Sequence, residues 1–277
     1  MKKILFATDF SPAATQAMNY VIELARKTGA EIYILNAYLV PAVEFTVDMP
    51  IYSEMRREEK LNSERHLKDI IHLISNIKDD KGNFLKYKTV SELGDPVSAI
   101  ARHVEHEQPD IVIIGNTGID DPYRWYASAA AEIIKEITTP ILIAPSTARP
   151  YSLKHILYAA ELVKDDAEAI TKLVDFAKIV GAWITVLHIV DSKNEESAHL
   201  FKTLQKEITS TTDYNKMSWR SAKNDNLQEA ISELVANDNI DLISLLRHPR
   251  PALDSLFHKS LTKALIKASP TPLLVIH

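Results

Sequence analysis

Asp110 to Pro145 reads DIVIIGNTGIDDPYRWYASAAAEIIKEITTPILIAP. Ile111, Val112, Ile113 and Ile114 form a β-branched run between Asp110 and Gly115, the composition of a strand buried on both faces. Gly115-Asn116-Thr117-Gly118 breaks the run, Ser128 to Ile137 has helical spacing, and Ile141 to Ala144 is a second apolar strand. Strand, glycine turn, helix and strand make a βαβ unit. Ligands of open α/β sheets lie beyond the carboxyl ends of such strands, where backbone N–H groups of a glycine turn and a helix start can cradle phosphate. Glycine is scarce, 6 in 277 residues, against a usual share of roughly 7%. Two of the six stand three apart at this strand end. A tight turn alone can account for both, and so can a ligand.

Composition narrows the classes. The 277 residues allow one or two domains, either large enough to bury a core. Lys and Arg number 32 against 37 Asp and Glu, a net charge of −5, so the chain carries no basic footprint for nucleic acid. Cysteine is absent, which excludes disulfides and thiol catalysis and fits a reducing compartment. The apolar run after Met1 is too short for a signal peptide, and no run approaches the ~18 apolar residues of a membrane helix. The expectation is a soluble, cytoplasmic protein without membrane contact.

Outward from the central stretch, Lys3 to Thr8 reads as a buried strand, with Ser11 as N-cap and Pro12 in the first turn of a helix. Ala17, Val21, Leu24 and Ala25 give that helix an apolar face, and Gly29 ends it. Ile32 to Leu35 is the next strand, so the chain opens β-α-β. Tyr38 to Tyr52 reads as an apolar loop, a candidate lid or association element. Glu54 to Ile77 reads as a long helix with Leu61, Leu67, Ile70, Ile71 and Ile74 inward, and Phe84 to Glu92 as a strand. Gly94-Asp95-Pro96 starts a helix ending near Gln108. His103 and His106 lie one turn apart on it with Glu105 and Glu107, but HVEH is not a metal motif, and the four read as a solvated helix end.

The second half repeats the first. His155-Ile156-Leu157-Tyr158-Ala159 matches Lys3-Ile4-Leu5-Phe6-Ala7, and Gly181-Ala182-Trp183-Ile184 matches Gly29-Ala30-Glu31-Ile32, both at an offset of 152 (155 − 3 and 181 − 29). Thr271-Pro272-Leu273-Leu274-Val275 matches Thr139-Pro140-Ile141-Leu142-Ile143 at 132 (271 − 139). Two repeats follow, residues 1–147 and 152–277, joined near Pro150. They differ where a phosphate would sit. Leu246 stands opposite Gly115, Pro249 opposite Gly118 and Glu161 opposite Asp9. Proline offers no N–H and a leucine side chain blocks close approach. The second repeat is therefore expected to have lost any phosphate site, with Arg247, His248 and Arg250 as exposed loop charges.

Taken together, Ala7-Thr8-Asp9-Phe10-Ser11, Gly94-Asp95-Pro96, Ile114-Gly115-Asn116-Thr117-Gly118 and Thr139-Pro140-Ile141-Leu142-Ile143 resemble the universal stress protein family in its tandem two-domain form. The resemblance implies an α/β fold with two repeated open parallel-sheet domains of the adenine nucleotide alpha hydrolase-like, Rossmann-like kind, five strands each with helices on both faces. It also implies that the last strands of the two halves can pair within the chain. Nucleotide-binding members carry G-x-x-G, nine residues, then G-[S/T]. Gly115 and Gly118 match and the spacing is kept from Ile119 to Ala127, but Ser128-Ala129 stands in place of the final pair. Asp120 and Asp121 add negative charge that repels phosphate unless a divalent ion intervenes. By resemblance, the residues around an adenine nucleotide, ATP with Mg or AMP, are Thr8, Asp9, Ala37, Gly115, Gly118, Ser128, Ala129 and Ala130.

Three functions compete: a nucleotide-sensing stress protein, a scaffold of the same fold that binds no nucleotide, and a weak ATPase. GxxxxGK[ST] is absent and no nucleophile–base pair stands out, so the enzyme ranks last. A homodimer is left open.

Overall fold

The computed structural model describes residues 1–40, 49–116, 125–148, 151–190, 195–223, 227–247, 262, 264–266 and 269–277, with backbone alone at 125–128, 190, 195–196, 223 and 227–229. The chain divides into two compact units, Met1–Thr139 and Pro140–His277.

The first unit holds β1 (Lys3–Ala7), α1 (Pro12–Thr28), β2 (Glu31–Tyr38), α2 (Met49–Ile74), β3 (Tyr87–Leu93), α3 (Pro96–Glu107), β4 (Ile111–Asn116) and α4 (Trp125–Glu136). Its strand order is β3-β2-β1-β4, with β1 parallel to both neighbours and β2 parallel to β3. Ser91 bonds to α2 and Glu92 to α3. Successive strand residues point to opposite faces, so these helices cover opposite faces of the sheet. β1 and β4 are apolar and buried nearly throughout.

Local chemistry explains the helix ends. Ser11 caps α1 through its hydroxyl, Pro12 sits in the first turn, and Gly29 closes it at φ 70°. Asp95 caps α3 in the same way, and Gln108 ends it in the left-handed region. Three expectations need correction. α2 starts at Met49, so the segment read as loop to Tyr52 is helical from there on, while 41–48 lies outside the described residues. Leu61 is 49% exposed, because the inward face of α2 runs through Ser63, Leu67 and Ile74. The strand expected from Phe84 begins at Tyr87, and Phe84 is exposed in an isolated bridge to Lys78.

The second unit holds β5 (Ile141–Pro145), β6 (His155–Ala159), α5 (Asp166–Val180), β7 (Trp183–Val190), α6 (Glu195–Thr211), β8 (Met217–Lys223), α7 (Leu227–Asn237), β9 (Leu242–Leu246) and β10 (Leu273–Ile276). Its order is β5-β10-β9-β6-β7-β8. Among the described residues β10 with β9, β9 with β6, β6 with β7 and β7 with β8 pair parallel, whereas β5 with β10 is antiparallel, Leu273 facing Ile143 and Val275 facing Ile141. β5 ends the first repeat in sequence, yet this pairing groups it with the second unit.

The two repeats share more than strand order. Asp110 Oδ2 accepts the Lys3 N–H at 2.9 Å and Asp241 Oδ2 accepts the His155 N–H at 3.0 Å. Gly29 and Gly181 cap α1 and α5 at φ 70° and 74°. Phe10 and Leu162, 152 residues apart, both sit at φ 61°, a conformation bulky residues rarely adopt. The turn after the first strand of each repeat imposes it.

Candidate functional site

At the carboxyl end of β1, three side chains tie down their own backbone. Thr8 Oγ1 accepts the Phe10 N–H at 3.0 Å, Asp9 Oδ1 accepts the Ser11 N–H at 3.0 Å, and Ser11 Oγ accepts the Ala14 N–H at 3.2 Å. Small oxygen-bearing side chains bond nearby N–H groups readily, which is why this sequence turns here. Thr8 is buried, with its hydroxyl turned inward. Asp9 is half-buried, and among the described residues no hydrogen bond reaches its Oδ2.

Beneath the turn runs a buried polar chain. Asn36 Nδ2 donates to the Thr8 carbonyl at 2.7 Å, and Asn36 Oδ1 accepts from Ser63 Oγ at 2.6 Å. Ser63 Oγ lies 2.7 Å from Ser91 Oγ, which must donate because the Ser63 hydrogen is already committed. β2, α2 and β3 are thereby fixed to the end of β1. His66, one turn beyond Ser63, stacks on Phe10 with ring centroids 4.8 Å apart. Sequence reading missed Asn36 and Ser63; the signal was an asparagine inside an otherwise apolar strand and a serine on the inward helix face.

The sequence-derived residues fall in different places. Ala37 lies in β2 with its side chain buried, so any ligand contact there is through the backbone. Gly115 lies inside β4 rather than in a turn. A Cβ on Gly115 would stand 2.3 Å from Ala14 N and 2.4 Å from Ala13 C. The glycine is thus required for the first turn of α1 to rest on β4, independently of any ligand. Gly118, Thr117, Asp120 and Asp121 lie outside the described residues. α4 begins at Trp125, so Ser128 is its fourth residue rather than its first. Ala129 and Ala130 are buried. A helix leaves only its first few N–H groups unbonded, so the Ala129 and Ala130 amides serve the helix itself.

The second unit resolves the same position differently. Leu246 is buried where the first unit has Gly115. α5 begins at Asp166, opposite Ala14, two residues later than α1 begins at Pro12 once the 152 offset is applied. The Asp166 carboxylate, 0% exposed, accepts the Tyr158 hydroxyl at 2.6 Å through Oδ1 and the Val163 N–H at 2.9 Å through Oδ2. Burial pushes the Asp166 carboxyl up despite these bonds, and burial with the adjacent carboxylate pushes Tyr158 well above the usual phenol range. Phe6 and Ala14 occupy these two positions in the first unit.

Among the described residues, no group of three or more His, Cys, Asp or Glu could hold a metal ion. His103 Nε2 lies 3.0 Å from Glu92 and Lys3 bonds Glu107, so these two are engaged with other elements, while Glu105 and His106 are exposed. Among the described residues, no helix is long and apolar enough to cross a membrane.

A model of the universal stress protein family matches residues 1–145. A universal stress protein of Methanocaldococcus jannaschii is 26% identical over 149 residues, 51% of this chain and 81% of that protein. The structure of a universal stress protein from Archaeoglobus fulgidus superposes with a TM-score of 0.73 at 18% identity, over 99% of this chain and 97% of that one. A Pseudomonas aeruginosa structure described as a putative universal stress protein gives 0.63 at 15%, over 100% and 93%. These two structures share the fold along both repeats. With the family model matching more than half of its length, the chain belongs to the universal stress protein family.

Proposed function

We propose that the chain is a tandem universal stress protein of the cytoplasm whose repeats, 1–147 and 152–277, have divided their roles. The first takes an adenine nucleotide, AMP or ATP with Mg, at the ends of β1, β2 and β4; the second takes none. The observation that carries this reading is the asymmetry between equivalent positions. In the first unit the turn after β1 is held from within and leaves Asp9 Oδ2 available to the hydroxyls of a ribose. In the second, Leu246 fills the place of Gly115 and a buried carboxylate, Asp166, ties the turn to the core.

Phosphate contact in the first unit falls to the chain just beyond β4, through Gly118, and to the opening amides of α4 near Trp125, rather than to Ala129 and Ala130. Nucleotide would act by binding one state of the protein better than another, which is what sensing requires. The competing reading is a scaffold that binds no nucleotide, favoured by the burial of Ala129 and Ala130.

Thermal unfolding with and without MgATP separates the two. Ligand at a hundredfold excess over its Kd stabilises by about 2.7 kcal/mol, and the melting point rises accordingly. Asp9→Ala and Gly118→Leu abolish the rise, and Pro249→Ala leaves it intact. No rise with millimolar ATP, and no nucleotide in the purified protein, establishes the scaffold instead.

A further inference from the structure

Among the described residues, β3 is hydrogen-bonded on one side only, to β2. The Ile32 N–H donates to Lys86 O at 2.8 Å and the Gly94 N–H to Tyr38 O at 3.0 Å. Backbone groups alternate direction along a strand in a parallel pair. Even-numbered residues from 86 to 94 therefore face β2, while Tyr87, Thr89, Ser91 and Leu93 direct their N–H and C=O groups outward. The helices do not seal this edge. A groove of about 420 Å³ between β3 and α3 is lined by Tyr33, Lys88, Val90 and His103, and one of about 380 Å³ between β3 and α2 by Lys60, Lys68, Ile71 and Ser91; Thr89 lines both.

We propose that β3 is the interface between two copies of this chain, joined antiparallel about a two-fold axis through Val90. The sequence YKTVSEL is self-complementary in that register. The outward residues become the hydrogen-bonded pairs, Thr89 with Ser91 and Tyr87 with Leu93, each formed twice across the axis. Lys88 then faces Glu92 of the other copy, and Val90 faces Val90. These are the non-hydrogen-bonded pairs, in which side chains approach most closely, so the opposite charges fall where they attract most. Lys88, Val90 and Glu92 share the face covered by α3, where Glu92 already bonds Arg102 and His103. An incoming lysine joins an existing charge network there rather than burying an isolated ion.

The corresponding edge of the second unit is built to refuse such pairing. β8 places Arg220, which also bonds Asp238, at its midpoint, so the same construction sets Arg220 against Arg220, with Lys216 just before the strand and Lys223 at its end. Like-charged edges of this kind block strand addition. β5 and β10, for their part, are already paired with each other. β3 is the edge whose sequence invites a copy of itself, independently of any nucleotide.

Sedimentation velocity of the full chain from micromolar to sub-millimolar concentration tests this, with hydrogen exchange at the amides of Tyr87, Thr89, Ser91 and Leu93. Dimers appear as concentration rises, and these four amides gain protection with them. Thr89→Pro removes an outward N–H without touching the β2 ladder and abolishes the dimer. Lys88→Glu sets two like pairs across the axis and weakens association by about tenfold, at ~0.7 kcal/mol per pair. Adding Glu92→Lys to Lys88→Glu restores it. A monomer at every concentration overturns the proposal and leaves the edge to an extended segment of another protein. A dimer that Lys88→Glu does not weaken, or that forms without protection of the four amides, overturns it as well.

Discussion

Asn36 and His188, 152 residues apart, perform the same task in the two units. Asn36 Nδ2 donates to the Thr8 carbonyl at 2.7 Å, and His188 Nδ1 lies 3.3 Å from the Ala160 carbonyl. A carbonyl can only accept, so His188 carries its hydrogen on Nδ1. Asn36 Oδ1 has Ser63 as donor, whereas His188 Nε2 is buried and has no partner among the described residues, its ring lying 5.6 Å from that of Phe201.

Burial holds the His188 imidazolium below the usual histidine range, and burial with nearby Arg247 and Lys172 pushes His277 down to about 4. Each folded-state value is depressed, so their stabilisation is complete above the unfolded value near ~6.5 and is lost as pH falls toward the folded value. Asp166, with its carboxyl pushed up, acts oppositely and regains stability on protonation. Unfolding by urea at intervals from pH 7 to pH 4 therefore shows a decline starting near ~6.5. His188→Asn shrinks that decline, and an unchanged slope in this variant would exclude His188 as a contributor.

Tyr158 and Asp166 test the interior of the second unit. Asp166→Ala leaves the Tyr158 hydroxyl and the Val163 N–H unpaired and costs about 2–4 kcal/mol. Tyr158→Phe combined with Asp166→Ala recreates the Phe6 and Ala14 pair of the first unit. Urea denaturation of the double variant is expected to show a loss smaller than the sum of the two single losses, since groups in one network are not additive.

Gly115 tolerates no side chain. Its Cβ would meet the backbone of Ala13 and Ala14, which cannot move without lifting α1 from β4. Gly115→Ala is expected to destabilise by about 2–3 kcal/mol, read as a lower midpoint in urea. A neutral substitution there would mean that the first turn of α1 does not rest on β4 as described.

Ser244 is 0% exposed in the middle of β9, and among the described residues its hydroxyl has no partner. The first repeat has Ile113 at that place, 131 residues earlier, the separation of Asp110 and Asp241. Ser244→Ala removes a desolvated hydroxyl and is expected to stabilise by ~1 kcal/mol, raising the melting point measured by calorimetry.

Helix ends were the most legible part of the sequence. Ser11 and Pro12, Gly29, and Asp95 with Pro96 act at the positions their chemistry prescribes, because capping depends on a few adjacent residues. The repeat was legible too, since equal offsets survive divergence. Tertiary partnership was harder to see. Ile32 to Leu35 understated β2, because Asn36 looks like a strand end until its bonds to Thr8 and Ser63 are known. Leu61 was assigned inward because α2 is longer than the surface it covers, so an apolar residue there need not face the core. Gly115 was read as a turn residue, although what requires it is a helix from the other end of the repeat.

The antiparallel contact of β5 with β10 has a practical consequence for anyone wishing to study one repeat alone. A protein stopped at Pro145 would carry Ile141-Leu142-Ile143 with its hydrogen-bonding rim bare, a greasy ribbon seeking any strand to zip against. Starting instead at Tyr151 would strip β10 of the same neighbour. The scissors that separate the ancestral copies in the text do not separate them in the folded object, and fragments cut at the end of the first repeat are expected to clump.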